Sequence, residues 1–216
     1  ETHGKTSTAS ILAWILEYAG LSPGFLIGGV PGKFGVSARL GSGAFFVVEA
    51  DEYDTAFFDK RAKFVHYRPS VAVLNNLEFD HADIYENLKA IQTQFHHFVR
   101  TIRGNGTILS NGADARLEAV LERGCWSQLE RFSAREDEDW RVELVKPDGS
   151  QLAFHHHGDL VGSMEWDHFG HHNALNACSA VAAAVAAGVC PQAAVEALAS
   201  FKGVRRRMEL ICDTGD

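Results

Sequence analysis

The sequence predicts an α/β domain built on a mostly parallel, doubly wound β-sheet with a small antiparallel edge. Short apolar runs bounded by glycine are typical of strands buried on both faces, and they occur at residues 25–27, 44–48, 71–74 and 106–109. Two helical stretches, 86–103 and 113–122, are interleaved with these runs. Strands that alternate with helices favour a parallel sheet joined by crossover helices. The polar residues that follow each strand are then expected at one edge of the sheet.

The composition limits the possible functions. The 216 residues suffice for one large α/β domain, and 20 basic against 28 acidic residues give a net charge of −8. This balance argues against nucleic acid or an anionic membrane as a partner. The four cysteines form no C-x-x-C pair, which favours reduced thiols in a cytoplasmic protein. The longest apolar run, 174–187, is too short to span a bilayer.

The chain opens with the end of a phosphate-binding loop. Gly4, Lys5 and Thr6 fill the last three places of the pattern G-x-x-x-x-G-K-[ST], and an amphipathic stretch at 6–19 predicts the helix that such a loop requires. In that loop backbone N–H groups cradle phosphates, the lysine reaches the outer phosphates, and the hydroxyl ligates magnesium. We therefore predict ATP or GTP with Mg²⁺. The leading glycine of the pattern and the strand that should precede it are absent from the sequence, which begins at Glu1, so we expect an excised piece of a longer protein.

Acidic residues follow the apolar run at 44–48. Four carboxylates lie between positions 49 and 54, and Glu49 is the expected magnesium ligand. The alternative is a solvated acidic loop that caps the next helix; the phosphate-binding loop favours the metal site. His81 follows the next strand and could bind a second metal, although a histidine beside acids is more often a hydrogen-bonded loop residue.

The second half of the chain has a different pattern. Polar and apolar residues alternate at 141–166 around a turn at 147–149, which predicts antiparallel hairpin strands. Asn173 is predicted to cap an alanine-rich helix that ends at Gly188, and its amide could also face a base. Pro191 is predicted to open another helix, running to about residue 201.

Three further motifs have more than one interpretation. The consecutive histidines at 155–157 would point to alternate faces of a strand, so we predict surface residues and not a metal site. The arginines at 205–207 form either a solvated basic patch or, through Arg207, a charge clamp on the terminal phosphate. The glycine-rich loop at 28–32 is either a plain turn or a place of close substrate contact, and we favour the contact.

Taken together, these segments resemble the Mur ligase family, the ATP-dependent amide-bond-forming enzymes of bacterial cell-wall synthesis. Five motifs match in order: the loop at 2–8, the acidic metal motif at 49–52, the aspartate-histidine motif at 80–81, the adenine-side motif at 170–177 and the arginine-bearing strand at 206–209. The resemblance implies a central ATP-binding domain at 1–203 and a linker into a C-terminal domain at 204–216. An N-terminal UDP-sugar domain would then be absent.

The resemblance also implies roles for individual residues. The implied ligands of the two magnesium ions are Thr6, Glu49 and His81. The implied catalytic residues are Lys5, Glu49, His81 and Arg207. The implied ATP-binding residues are Thr2, His3, Gly4, Lys5, Thr6, Ser7, Asn173 and Arg207.

Within the family, four segments indicate a particular branch. Residues 28–32, 37–41, 49–60 and 75–85 most resemble the enzymes that join L-alanyl-γ-D-glutamyl-meso-diaminopimelate to UDP-N-acetylmuramate during peptidoglycan recycling. These enzymes proceed through an acyl phosphate and release ADP. We expect those two substrates and the missing domains as partners, and an isolated chain that is inactive. Three alternatives stay open: a UDP-N-acetylmuramate–L-alanine ligase, a ligase that adds glutamate to folate, and a non-catalytic nucleotide-binding module.

Overall fold

A computed structural model of the chain describes residues 4–50, 54–56, 59–77 and 87–204, the side chains of 54–56 and 59–61 excepted. The elements of this part are, in chain order, α1 (Lys5–Tyr18), β1 (Gly24–Leu26), β2 (Ala38–Arg39), β3 (Phe46–Val48), β4 (Asp54–Ala56), β5 (Asp59–Ala62), a 3-10 helix (Lys63–His66), β6 (Val71–Leu74), α2 (Leu88–Val99), β7 (Thr107–Asn111), α3 (Ala115–Leu121), β8 (Gln128–Ser133), β9 (Trp140–Leu144), β10 (Gln151–His156), β11 (Asp159–Glu165), α4 (His171–Ala186) and α5 (Pro191–Leu198).

The larger sheet confirms the predicted parallel core with an antiparallel edge. Its six strands lie in the order β11-β10-β9-β8-β7-β6. Strands β6 to β9 run parallel, and β10 and β11 continue the sheet as an antiparallel meander. The sequence did not predict β8, because its residues are mostly polar and only its last two are buried. A continuous apolar run marks a strand only where both faces are covered.

A smaller sheet orders its strands β2-β1-β3, with β1 and β3 parallel. The prediction that its apolar runs are buried on both faces is only partly right. Phe25 and Val47 face α1 and are buried, whereas Leu26 and Phe46 are about half exposed, at 54% and 51%. Successive side chains of a strand point to opposite faces, and only the face toward α1 is covered. An apolar groove of about 460 Å³ separates β3 from β6.

Helices cover both faces of the larger sheet, as a doubly wound fold requires. One core joins α1 and α4 to the sheet and includes the fully buried Phe132, Trp140 and Phe154. The second core joins α2 and α3 to β6 and β7. The small side chains of α4 allow α1 to pack closely against it. Within the described residues, no helix has both the length and the apolar character needed to cross a membrane.

The start of α4 corrects one prediction. Asn173 does not cap this helix, because the helix begins at His171 and Gly170 is its N-cap residue. Gly170 has φ of +95°, a conformation that glycine adopts without strain. Asn173 is the third helical residue, and its Nδ2 donates a hydrogen bond to the carbonyl oxygen of Phe169 at 2.9 Å. Pro191 opens α5 as predicted.

Candidate nucleotide-binding site

The N-terminus of α1 has the form of an anion site. Gly4 precedes the helix with φ of +95°, in the left-handed region where a side chain would be strained. Among the described residues, no side chain caps the helix. The first N–H groups of an α-helix have no acceptor within the helix and lie at its positive end. Backbone donors of Lys5, Thr6 and Ser7 are therefore suited to phosphate oxygens.

Glu49 and Thr6 meet at this helix end, although 43 positions separate them in the sequence. The Thr6 hydroxyl donates a hydrogen bond to Glu49 Oε1 at 2.8 Å, and the Gly28 N–H donates to Glu49 Oε2 at 2.6 Å. Adjacent ligands of an octahedral Mg²⁺ at about 2.0–2.1 Å lie about 2.9 Å apart. The Thr6 and Glu49 oxygens therefore have the chemistry and the spacing of two neighbouring magnesium ligands.

The glycine-rich loop at 28–32 packs against these two residues. A Cβ atom at Gly28 would lie 3.1 Å from Glu49 Oε2, and one at Gly29 would lie 2.8 Å from Thr6 Cγ2. Pro31 pairs with Val204 across an isolated β-bridge, which closes the loop against the end of the described chain. The close approach that the glycines permit is thus made to the protein's own site residues, and contact with a substrate stays a prediction.

An open cavity of about 620 Å³ extends from the helix end. On one side it is lined by five residues that the sequence analysis selected: Gly4, Lys5, Thr6, Ser7 and Glu49. The first turn of α4 lines another side with His172 and Asn173. Sequence reasoning therefore named residues from three separate segments that the fold brings to one cavity.

An aromatic wall completes the cavity and was not predicted. Trp166, His168 and Phe201 line it, and the Trp166 and His168 rings contact edge to face with centroids 4.9 Å apart. Trp166 is 3% exposed, and its indole Nε1 has no hydrogen-bond partner in the described part of the chain. Isolated aromatic residues between elements are usually core residues, so the sequence carried no specific signal for this wall.

A buried hydrogen-bond network fixes the helices around the cavity. Asn75 Nδ2, just after β6, donates to Thr8 Oγ1 and to Asn176 Oδ1, both at 3.0 Å. The Thr8 hydroxyl donates to Asn176 Oδ1 at 3.3 Å. All three side chains are at most 5% exposed. Asn176, in the motif at 170–177, therefore ties α4 to α1 and to the end of β6.

The remaining predicted site residues, Thr2, His3, His81 and Arg207, lie outside the described residues. Their roles stay predictions. The described chain stops at Leu77 before the segment that contains His81, and the Leu77 N–H donates to Asp114 Oδ2 at 2.9 Å. Burial opposes the charged form of Asp114, but hydrogen bonds from the Arg116 side chain and the Leu77 N–H outweigh it and hold the pKa of Asp114 below its usual value.

The described residues form an α/β domain with a mostly parallel six-stranded sheet, and the cavity lies at the start of its first helix. The chain belongs to the Mur ligase family: the family model of the Mur ligase middle domain matches residues 2–184.

The sequence identity of the chain differs between two kinds of Mur ligase. The chain is 51% identical over 209 residues to the UDP-N-acetylmuramate–L-alanyl-γ-D-glutamyl-meso-2,6-diaminoheptandioate ligase of Haemophilus influenzae, covering 97% of this chain and 46% of that protein. It is 38% identical over 212 residues to the UDP-N-acetylmuramate–L-alanine ligase of Paenarthrobacter aurescens, covering 97% and 44%. The crystal structure of the UDP-N-acetylmuramate:L-alanyl-γ-D-glutamyl-meso-diaminopimelate ligase from Neisseria meningitides superposes with a TM-score of 0.89 at 55% identity, covering 95% and 65%.

These comparisons confirm the predicted family and branch, since the resemblance to the tripeptide ligases exceeds that to this L-alanine ligase. The chain spans about half the length of the curated relatives it matches.

Proposed function

We propose that this chain is the ATP-binding domain of a murein peptide ligase, which joins UDP-N-acetylmuramate to L-alanyl-γ-D-glutamyl-meso-diaminopimelate and releases ADP and phosphate. The observation that carries the proposal is the pairing of Thr6 with Glu49 at 2.8 Å beside an uncapped helix N-terminus. Identity of 51% to a relative whose name states this reaction supports the choice of substrates. The domain would occupy residues 1–203, with 204–216 leading into the domain that binds the amino substrate.

The phosphate end of ATP would bind at α1. The N–H groups at the helix start donate to phosphate oxygens, and the Lys5 ammonium contacts the outer phosphates. Thr6 and Glu49 would hold Mg²⁺, which when bound withdraws negative charge from the phosphates. The Gly28 N–H orients the Glu49 carboxylate by its hydrogen bond to Oε2. Outside the described residues, we assign Thr2 and His3 to the loop and His81 to a second Mg²⁺.

The adenine base of ATP would lie on the side of the cavity that is lined by the first turn of α4. Asn173 at the start of α4 can present its amide to the adenine edge by giving up its local bond to the Phe169 carbonyl. The partly exposed rings of His168 and Phe201 supply aromatic surface, and the buried Trp166 supplies an indole N–H without an acceptor among the described residues. Aromatic surfaces favour stacking of a nucleobase.

The reaction would proceed in two steps. The carboxylate of UDP-N-acetylmuramate attacks the γ-phosphorus, the bond to the β-phosphate oxygen breaks, and ADP leaves with that electron pair. The tripeptide amine then attacks the acyl phosphate, loses a proton, and displaces inorganic phosphate to leave an amide. Lys5, with Arg207 as the proposed charge clamp, neutralises charge that develops on the phosphoryl oxygens. Positioning of the reactants is the other main contribution of the protein. The substrates and the fold are consistent with peptidoglycan recycling in the cytoplasm.

One experiment separates this function from the alternatives. The full-length protein is incubated with ATP, Mg²⁺ and UDP-N-acetylmuramate, together with either the tripeptide or L-alanine, and in a separate reaction with ATP, Mg²⁺, a folate and glutamate. ADP, the product mass and equilibrium ATP binding are measured. We expect ADP release with the tripeptide and a product whose mass equals the two substrates minus water. Turnover with L-alanine alone would assign the chain to the L-alanine ligases. ADP release only with a folate and glutamate would indicate a folate ligase, and ATP binding without turnover would indicate a nucleotide-binding module.

A further inference from the structure

A second group of metal-ligand side chains lies at the middle of the larger sheet, where its parallel and antiparallel parts meet. It consists of Glu130 on β8, His156 at the end of β10 and His157 directly after it, and one potential ligand atom from each lies within 4.8 Å of the others. None of these residues lines the nucleotide cavity. We propose that Glu130, His156 and His157 form a separate binding site for a divalent d-block cation, with Zn²⁺ as the probe.

Strand register places Glu130 and His156 on the same face. Phe132 of β8 pairs with Trp140 of β9, and Trp140 pairs with His156 of β10, so these three side chains point to one side of the sheet. Glu130 lies two residues before Phe132 and therefore shares that side. The His156 ring stacks on Trp140 with centroids 4.0 Å apart, and His156 Nε2 lies 3.6 Å from Glu130 Oε2.

The turn after β10 places His157 next to His156. The prediction that all three histidines at 155–157 alternate along a strand is therefore wrong for His157. His155 and His156 do alternate, since His155 Nε2 lies 3.3 Å from Glu143 Oε2 in a different ion-pair group. His157 does not continue the strand: its φ is +49°, and its N–H donates to the Asp139 carbonyl at 2.7 Å. Its ring centroid is therefore 4.1 Å from that of His156.

The carboxylate ligand is held in place by a buried neighbour. Trp140 Nε1 donates to Glu130 Oε2 at 2.7 Å, and Trp140 is fully buried. Such hydrogen bonds fix the orientation of metal ligands. His156 Nε2 is buried without a hydrogen-bond partner among the described residues, which suits a nitrogen that coordinates a metal. The group therefore offers an oriented oxygen and a ring nitrogen that makes no hydrogen bond to a described residue and lies 3.6 Å from that oxygen.

Asp139 lies beside His157 but outside this group of three residues. Its Oδ1 lies 3.6 Å from His157 Nδ1, and its Oδ2 accepts the Arg131 N–H at 2.7 Å. Two imidazoles and one carboxylate supply three of the four ligands that Zn²⁺ takes in tetrahedral geometry, and water can supply the fourth. Tetrahedral ligands at about 2.0–2.2 Å lie about 3.4 Å apart, so ligand atoms that are up to 4.8 Å apart must move toward one another when the ion binds. The side chain of His157 is 59% exposed and can make that movement.

The test is zinc binding by the full-length protein, purified without a polyhistidine tag and stripped with EDTA that is then removed. Isothermal titration with ZnCl₂ compares the wild type with His157→Ala, Glu130→Gln and the matched control His155→Ala. We expect one zinc ion per chain, with equal affinity in the wild type and His155→Ala, and at least tenfold weaker binding in the other two. Equal losses in His155→Ala and His157→Ala, or zinc uptake that does not depend on His157, would overturn the proposal.

Thermal melting with zinc and with EDTA distinguishes the loss of zinc binding from poor folding of a variant. Zinc that binds only the folded chain raises its melting temperature, so the wild type and His155→Ala should melt higher with zinc than with EDTA. Glu130→Gln and His157→Ala should show no such rise while melting cooperatively in EDTA. His157→Gln replaces His157→Ala if the latter does not melt cooperatively. A zinc-dependent rise of the same size in the His157 variant would contradict the proposed site.

Discussion

The candidate nucleotide cavity and the proposed metal site at Glu130, His156 and His157 are both built around one oriented carboxylate, but they are assembled in different ways. Glu49 meets Thr6 because a strand end and a helix start converge at one edge of a sheet, and it is held by the Gly28 N–H. Glu130 meets His157 because a single residue after β10 takes a positive φ. The first arrangement follows from the order of elements along the chain, whereas the second depends on one backbone angle. A motif search can therefore find the first and miss the second.

The largest effect is expected at Lys5. In the full-length protein, Lys5→Ala should lower turnover by about 100-fold or more, because the variant lacks the cation that we propose contacts the transferred phosphoryl group. The measurement is ADP release with saturating substrates. Lys146→Ala is the control, since Lys146 is exposed on the turn between β9 and β10 and does not line the cavity. Zinc affinity should be unchanged in Lys5→Ala, which would show that the two sites are independent. Near-normal ADP release in Lys5→Ala would refute its assigned role.

Asp114 is a third oriented carboxylate, and in contrast to Glu49 and Glu130 we assign it to fold stability and to no ligand site. It accepts the N–H groups of Leu77 and Arg116, so Asp114→Asn should reduce the free energy of unfolding by about 2 kcal/mol at pH 7. Urea unfolding of the full-length protein measures this difference. Asp137→Asn, in an exposed loop, is the control and should change stability little.

The pH dependence gives the sign of the Asp114 contribution. The pKa of Asp114 is lower in the folded protein than in the unfolded chain, where the pKa of an aspartate is about 3.9. Its stabilisation is therefore fully present above that value and is lost as the pH falls through the lowered folded pKa. The difference between wild type and Asp114→Asn should be constant from pH 7 to about pH 5 and shrink below about pH 4. A difference that grows in acid would contradict this account.

A smaller effect is expected at Gly29. A Cβ atom there would lie 2.8 Å from Thr6 Cγ2, so Gly29→Ala should displace Thr6 and disturb its hydrogen bond to Glu49. We expect about a tenfold loss of affinity for Mg²⁺-ATP, comparable to the loss of one charge-assisted hydrogen bond. Equilibrium binding of a non-hydrolysable ATP analogue measures it. Gly104→Ala is the control, because its Cβ would meet only ordinary van der Waals contact at 3.6 Å. Unchanged affinity in Gly29→Ala would show that Thr6 can move without cost.

The sequence predicted most of the fold and the residues that line the cavity at the start of α1. The apolar runs that became β6 and β7 and the start of α1 after Gly4 depend on local chemistry, which periodicity and motifs report. The sequence analysis missed β8, because its half-buried residues lack a continuous apolar run. It also misplaced the start of α4, whose N-cap residue is Gly170 and not Asn173. The aromatic wall around Trp166 depends on contacts across the fold, which no local pattern encodes.

The central claim is that Glu49 and Thr6 hold magnesium against the phosphates of ATP. The most direct test measures ATP affinity of the full-length protein with Mg²⁺ and with EDTA, in the wild type and in Glu49→Gln. We predict that Mg²⁺ strengthens ATP binding in the wild type and that Glu49→Gln loses most of this gain. Without magnesium the variant should bind ATP at least as tightly as the wild type, because a carboxylate that repels phosphate has been removed. A Glu49→Gln variant that keeps the full magnesium-dependent gain would contradict the account.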